Sequence, residues 1–323
     1  MDWKNHLNYD PIEPLLKCGY EPIVYFTKKD LLNEKTLASK ILWQLPAAQK
    51  ILNKQQADGS WKYLNPKPAI RDANLYNLYE TFRQVGFLVE QFGFDKRHPA
   101  IQRAKKFILA HQSPTGDIRG IYWNQYSPNY TAGFLELLIK TGYINDPQVL
   151  KGLQWLLSIR QTDGGWAIPA RTRNMQIGKW KKSAQPVAPD ITRPFSYMVT
   201  GVVLRAFAYH PDYQNSSSVH NAAELVLSKL FKRDVYPDRA STNFWTGFSF
   251  PFCYTDLISV LDPMAYLGFS ADQPKIKEGL DWFVKHQNKN GTWKLHILKG
   301  DKKEMSYWIN LSIGRLFKKY YGS

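Results

Sequence analysis

Cysteine is nearly missing from this chain: 323 residues carry only Cys18 and Cys253. Two thiols so far apart form no zinc ribbon, finger or CxxC redox pair, and a disulfide-stapled scaffold is excluded. Both read as small hydrophobes in a reducing, cytoplasmic compartment. No apolar run approaches the roughly 20 residues that a helix needs to cross a bilayer. The first ten residues, Met1 to Asp10, are polar and mixed, with no sign of a secretory leader. Acidic residues are also scarce, 27 Asp and Glu against 43 Lys and Arg, which leaves a net charge of +16. Such an excess suits a phosphate backbone or an acidic membrane surface. No clustered recognition helix or known module accompanies it. That weighs against nucleic acid and leaves a peripheral membrane contact as an expectation. HExxH, Gly-x-Ser-x-Gly, GxGxxG and a Walker lysine loop are all absent, so the commonest hydrolase and nucleotide-binding chemistries have no foothold.

What the chain has is aromatic bulk. Hydrophobic residues make up 44% and aromatic residues 15%, with 11 Trp, 19 Tyr and 17 Phe. This is enough to build a large core, and the 22% of charged residues is not the mark of a disordered chain.

Internal repetition is the strongest pattern. Four segments line up, beginning at Ala48, Ala104, Gly152 and Gly279. Each opens on a small residue. Bulky pairs follow three and four positions later: Ile51 and Leu52, Phe107 and Ile108, Trp155 and Leu156, Trp282 and Phe283. Then come Gln56, Gln112, Gln161 and Gln287, and after them Gly59, Gly116, Gly164 and Gly291. A bulky residue stands two places beyond each glycine, and in three units it is a tryptophan: Trp61, Trp166 and Trp293. Small then bulky at this spacing is one face of an amphipathic helix, and the small residue lets a second helix come close. Glycine ends the helix because it tolerates a left-handed cap. The tryptophan is expected to fold back over the turn, and the glutamine to bond backbone groups of the neighbouring unit.

The interval from Gly152 to Gly279 is about twice the others, so a weaker unit is expected around Ala223, Val226 and Leu227. Second helices are expected over Asn74–Phe92, Tyr130–Lys140, Phe195–Tyr209, Leu257–Leu267 and Ser306–Lys319, with a further one around Leu37–Leu45. The expected fold is all-α: an α/α toroid, or double-layered α-barrel, of about five to six helix pairs, because closing an array of helix pairs removes its exposed ends. It would be a single domain over 1–323, with an N-terminal extension at 1–35 and a basic insert at 170–194.

The Gln, Gly-x-Trp units resemble the QW repeats of the squalene and hopene cyclases, whose α/α barrel is shared with the protein prenyltransferases. The resemblance spans roughly residues 40–320. It implies an isoprenoid bound or transformed in a central aromatic cavity. The family's Asp-x-Asp-Asp acid motif does not occur here, nor does Asp-Asp-x-x-Asp or the prenyltransferase zinc pattern. The fold therefore carries over and the chemistry does not. No cofactor is implied. Magnesium or zinc stays open, since Cys253, Asp256 and a distant histidine would supply the three ligands zinc requires.

Three stretches are candidates for function. Phe244–Asp262 crowds Trp245, Phe248 and Phe252 beside Asp256 and Asp262. Aromatic faces stabilise cations, and a carboxyl buried among them could serve as acid or base, with Asp256 leading and Asp262 in support. The alternative is core packing, with Asp256 capping the next helix. Gly116–Tyr130 replaces Gly-x-Trp with Asp117 and Arg119, then adds Trp123, Gln125, Tyr126 and Tyr130, more polar and aromatic material than a turn needs. Asp117 and Arg119 could equally pair with each other. The insert holds Arg171, Arg173, Lys179, Trp180, Lys181, Lys182 and Arg193, either a lid for an anionic ligand or membrane surface, or a solvated loop. Two other readings are a non-catalytic binding module on the same barrel and a carbohydrate-active enzyme. The last would need two carboxylates about 5 to 10 Å apart, for which Asp117 and Asp256 are the pair to check.

Overall fold

The computed structural model describes residues 2–64, 73–175, 185–252 and 254–322. It is a helical protein. In chain order the helices are α1 (Ile12–Leu16), α2 (Glu21–Phe26), α3 (Pro46–Leu52), α4 (Ala73–Phe92), α5 (Pro99–Leu109), α6 (Pro128–Lys140) and α7 (Pro147–Ser158). They continue as α8 (Pro169–Thr172), α9 (Tyr197–Ala208), α10 (Pro211–Gln214), α11 (Ser217–Ser228), α12 (Leu257–Tyr266), α13 (Pro274–Lys285) and α14 (Lys302–Tyr321). The expected second helices are α4, α6, α9, α12 and α14. The weak unit near Ala223 is α11, with Val226 and Leu227 buried. The stretch around Leu37–Leu45 forms only a 3-10 turn over Ser39–Gln44. Two short strands, β1 (Gly247–Phe248) and β2 (His296–Ile297), pair in parallel.

Local sequence explains where helices begin. Proline occupies the first turn of α3, α5, α6, α7 and α13, where its missing N–H costs nothing. His98, Asp146, Ser196 and Asp301 cap α5, α7, α9 and α14 with side-chain acceptors.

Two kinds of helix alternate along the chain. In α5, α7 and α13 one face is buried; in α7 it is Val149, Gly152, Leu153, Trp155 and Leu156. In α6, α9 and α12 burial runs almost all round, as in α9, where every residue from Tyr197 to Ala208 is buried. A helix apolar on all sides sits inside a larger assembly, whereas a one-faced helix borders solvent. The small repeat residues lie at the contact between the two kinds. A Cβ on Gly152 would come 2.8 Å from Leu135 of α6, and one on Gly279 would come 2.9 Å from Leu261 of α12.

The chain divides into two compact units, one of residues 39–222 and one of residues 1–38 with 223–323. In the first, α6 packs on α4, α7 and α9. In the second, α14 packs on α1, α2 and α12, and α12 on α13.

The repeated turn has one geometry. The indoles of Trp61, Trp166 and Trp293 donate to the carbonyls of Ile51, Leu156 and Phe283, ten residues earlier, at 2.7–2.8 Å. Each tryptophan thus folds back on the end of its own helix rather than over the turn that follows. The backbone N–H at 61, 118, 166 and 293 donates to Thr81 of α4, Thr131 of α6, Thr200 of α9 and Asn310 of α14. Those four acceptors stand at irregular sequence intervals and escape a search for a repeat.

The glutamine alignment needs one correction. Gln112 Nε2 donates to the Gly116 and Gln148 carbonyls, and Gln287 Nε2 to those of Gly291 and Tyr9. In the first unit Gln55, not Gln56, does the same, to Gly59 and Ala100. Its bridge to Trp61 matches Gln112 with Ile118 and Gln287 with Trp293. Gln161 is shifted by one place in the turn, since its backbone pairs with Gly165 as that of Gln56 pairs with Ser60. Its side chain reaches the carbonyls of Asp190 and Arg193 instead.

Candidate functional site

The loop between α5 and α6 departs from the repeat, and its polar residues form a closed network. Asp117 is fully buried and accepts from the hydroxyls of Ser113 and Thr115 and from Arg119, whose Nε lies 2.5 Å away. Arg119 Nη1 also donates to Asn124 at 3.0 Å, and its guanidinium lies over the Tyr126 ring at 5.8 Å. Burial works against ionisation of Asp117, but Arg119 and the two hydroxyls outweigh it and hold the carboxyl below its usual range. Asp117 is thus a fixed anion that aims Arg119. The pairing anticipated as the plain reading of these residues is present, and it brings Asp117, Arg119 and Tyr126 together. Tyr126 packs edge-on against Trp155 of α7, with centroids 5.2 Å apart. Trp123 sits half-buried in a left-handed backbone conformation, at φ 57°.

Beside this loop runs a row of tyrosines. Tyr63 and Tyr76 have centroids 4.8 Å apart, Tyr76 and Tyr79 6.1 Å, Tyr79 and Tyr130 6.2 Å, and Tyr130 and Tyr122 5.4 Å. All five rings are half-buried. Tyr76 and Tyr79 share a face of α4 because they are three residues apart. Tyr130 comes from the first turn of α6 and Tyr122 from the loop. Sequence reading found Tyr130 but missed Tyr63, Tyr76 and Tyr79. The spacing of the last two was the available signal.

The basic insert is stitched at its base. Buried Gln125 donates to the Gln185 carbonyl and accepts from the Val187 N–H, both at 2.8 Å. Arg173 donates to the carbonyls of Ala188 and Pro189, and Thr172 accepts from the Asp190 N–H. Gln125 and Arg173 thus hold the loop itself, and Arg171 is half-buried nearby in sequence. Lys179, Trp180, Lys181 and Lys182 lie outside the described residues, as does Cys253.

The remaining candidates belong to the other compact unit, so Asp117 and Asp256 are not in one. Trp245 and Phe248 are wholly buried. The Trp245 indole donates to the Lys232 carbonyl, and Phe248 packs on Trp282 and Phe283. Phe252 is half-buried, edge-on to Phe250 at 5.6 Å, and Phe250 in turn stacks on Trp308 at 4.9 Å. Asp256 is buried at the start of α12, where it forms a capping box. Its Oδ1 accepts from the Ser259 N–H and its own N–H donates to Ser259 Oγ, both at 2.8 Å. Asp262 pairs with Lys319. Lys319 lines an open cavity of about 590 Å³ with His6, Phe269, Asp272, Tyr320 and Tyr321.

Sequence reading also missed a buried charge network. Glu136 of α6 binds Arg205 of α9 at 2.9 Å and Lys140 at 2.9 Å, and Lys140 reaches Glu90 of α4 at 2.7 Å. Burial opposes every charge, but the two cations hold the Glu136 carboxyl low and the two carboxylates hold the Lys140 amine high. Two acids and two bases neutralise one another between three helices, which is scaffold chemistry. Among the described residues no group of three or more His, Cys, Asp or Glu gathers as a metal site. No described helix is long and apolar enough to cross a membrane.

Residues 145–299 match the model of the squalene-hopene cyclase C-terminal domain. Over that stretch the chain is similar to the squalene-hopene cyclases, and its described residues form an essentially all-α structure. A probable squalene–hopene cyclase from Sinorhizobium fredii (strain NBRC 101917 / NGR234) is 23% identical over 175 residues, 49% of this chain and 25% of that protein. The match thus spans a quarter of that relative's length. Among solved structures, a variant of the type II terpene cyclase MstE from Scytonema, in complex with geranylgeranyl dihydroxybenzoate, is 15% identical. The alignment covers 90% of this chain and 97% of that one, at a TM-score of 0.41. The ent-copalyl diphosphate synthase of Streptomyces platensis is 14% identical over 93% of this chain and 51% of that one, with a TM-score of 0.44. A polysaccharide lyase is 11% identical over 87% of each chain, with a TM-score of 0.45.

Proposed function

We propose that this protein binds an isoprenoid-type apolar ligand along the tyrosine row of residues 39–222. The observation that carries the reading is the row itself: five half-buried rings in sequence, from Tyr63 to Tyr122, each within 4.8–6.2 Å of the next. Half-buried aromatic surface on a packed scaffold is a surface that an apolar ligand can extend. Ring faces suit both polyene carbon and any cation formed on it. The squalene-hopene cyclase match over residues 145–299 supports an isoprenoid as the occupant, although the row itself lies outside the matched stretch.

Binding, rather than protonation, is what the local carboxylate favours. An acid that protonates an alkene must hold a proton to give, and Asp117 is kept ionised by Arg119, Ser113 and Thr115. Its part is to orient Arg119 over Tyr126.

The test is titration of the full chain with geranylgeraniol and with squalene, read by native mass spectrometry and tryptophan fluorescence. Each of Tyr79→Ala and Tyr130→Ala is expected to weaken binding by about tenfold, the effect of losing roughly 1.4 kcal/mol of ring contact, within the range for aromatic truncation. Asp256→Asn, a good cap with no acid, is expected to bind as the parent does. Absence of binding, or equal binding by both tyrosine variants, sinks the reading. Saturable binding of an oligosaccharide in its place would turn it towards sugars.

A further inference from the structure

Ring-stacked arginines recur in this protein, and they show what such a group is used for. Arg97 lies over Trp43 at 5.8 Å, Arg119 over Tyr126 at 5.8 Å and Arg315 over Phe26 at 4.9 Å. Each also holds a carboxylate, those of Asp95, Asp117 and Asp30 respectively. The ring supports one face of the guanidinium and the acid takes its N–H edge.

Arg239 is built in the same way and lacks the acid. Its guanidinium carbon lies 3.3 Å from the centroid of Tyr254 and 5.0 Å from that of Phe244. It makes no hydrogen bond and no ion pair with any described residue. Arg239, Phe244 and Tyr254 are all half-buried, so the head group is not simply extended into water. Its support is firm. The Tyr254 carbonyl accepts from Ser259 Oγ at 2.9 Å, which ties the stacking ring to the capping box of α12. Arg239 itself adopts a left-handed backbone at φ 59°, a conformation an ordinary side chain enters at some cost and that clusters where function holds it.

We propose that Arg239, stacked on Tyr254 and Phe244, is a subsite for an oxyanion, phosphoryl or carboxylate, supplied by a ligand. The guanidinium fork matches both groups in two-point geometry, and stacking fixes its plane before the ligand arrives. The site lies among residues 1–38 and 223–323 and does not depend on what the tyrosine row binds.

The test is isothermal titration of the full-length protein with inorganic pyrophosphate and, separately, with succinate. Saturable binding of either supports the site, and the tighter of the two identifies the group it takes. Arg239→Gln is expected to weaken that binding at least tenfold. Arg239→Lys is expected to weaken it nearly as much, because a lysine keeps the charge and loses the fork. Tyr254→Leu, which keeps Arg239 and removes its ring, is expected to weaken it severalfold. Arg233→Gln removes the same charge from an exposed position close in sequence and is expected to bind as the parent does. Two results overturn the proposal: no saturable binding of either anion, or equal losses in Arg233→Gln and Arg239→Gln, which would mark a response to net charge alone. Circular dichroism and melting temperature of each variant separate lost binding from lost folding.

Discussion

Asp117 and Ser60 occupy the same position in successive repeat turns, and they meet opposite fates. Ser60 is fully buried and its hydroxyl has no hydrogen-bond partner among the described residues. A buried, unsatisfied hydroxyl is a cost, and Ser60→Ala is expected to be neutral or to stabilise by about 1 kcal/mol in urea melts. Asp117 is satisfied on all sides and its carboxyl is held low. A carboxylate with a depressed folded-state pKa binds fewer protons than its unfolded form. It therefore adds stability above the unfolded value near 3.9, and that contribution fades as pH falls through the folded value. Stability is expected to drop as pH falls below about 4, and the drop to be shallower in Asp117→Asn, with urea midpoints at each pH as the measurement. A glycine is required for a different reason. At Gly59 and Gly291 the backbone φ is positive, and a Cβ would run into the carbonyl oxygens of Arg103 and Asp10. The repeat glycine is thus fixed by close approach of the next segment as well as by its dihedral.

Helices in this protein are joined by buried polar contacts as much as by apolar ones. The four turn N–H groups that bond Thr81, Thr131, Thr200 and Asn310 fix where each turn meets a neighbouring helix. The Glu136–Arg205 pair fixes α6 against α9, and Lys140 with Glu90 extends the network to α4. Removing one member leaves the charges of the buried network unbalanced. Glu136→Gln is expected to cost about 3 kcal/mol, whereas Glu136→Leu combined with Arg205→Met recovers much of that loss. Chemical denaturation of the single and double variants measures the difference. A double variant no better than Glu136→Gln would mean that the pair holds the helices in ways packing cannot replace.

At the scale of the molecule, residues 39–222 form one compact unit and the two terminal segments another, and helix α11 spans the sequence boundary at 222 and 223. A helix shared across a boundary favours cooperative melting, so the chain is proposed to unfold as one domain. Calorimetry is expected to give one transition whose van't Hoff and calorimetric enthalpies agree, and two resolved transitions would overturn that reading. The net charge of +16 acts at the same scale. Co-sedimentation with phosphatidylserine vesicles is the check on the proposed membrane contact. Binding is expected at low salt, with release by about 0.3 M, as the Debye length falls below the reach of surface charges.

Sequence alone determined the periodic part of this protein, because the features involved are local. Small and bulky residues at helical spacing gave the one-faced helices. Gly-x-Trp marked their ends and carried the family resemblance. The second helices were legible for the same reason, each being a single apolar stretch between turn signals. Tertiary structure decided everything that depends on which segments meet. It showed Gln55, not Gln56, as the repeat glutamine, the one whose side chain bonds the Gly59 and Ala100 carbonyls. It placed Trp245 and Phe248 in the core and Asp256 at a helix cap. It also gathered Tyr63, Tyr76 and Tyr79 beside Tyr122 and Tyr130, and left Arg239 stacked on Tyr254 with its edge open. Ring stacking, burial and ion pairing mostly join residues tens of positions apart, beyond the reach of a local pattern.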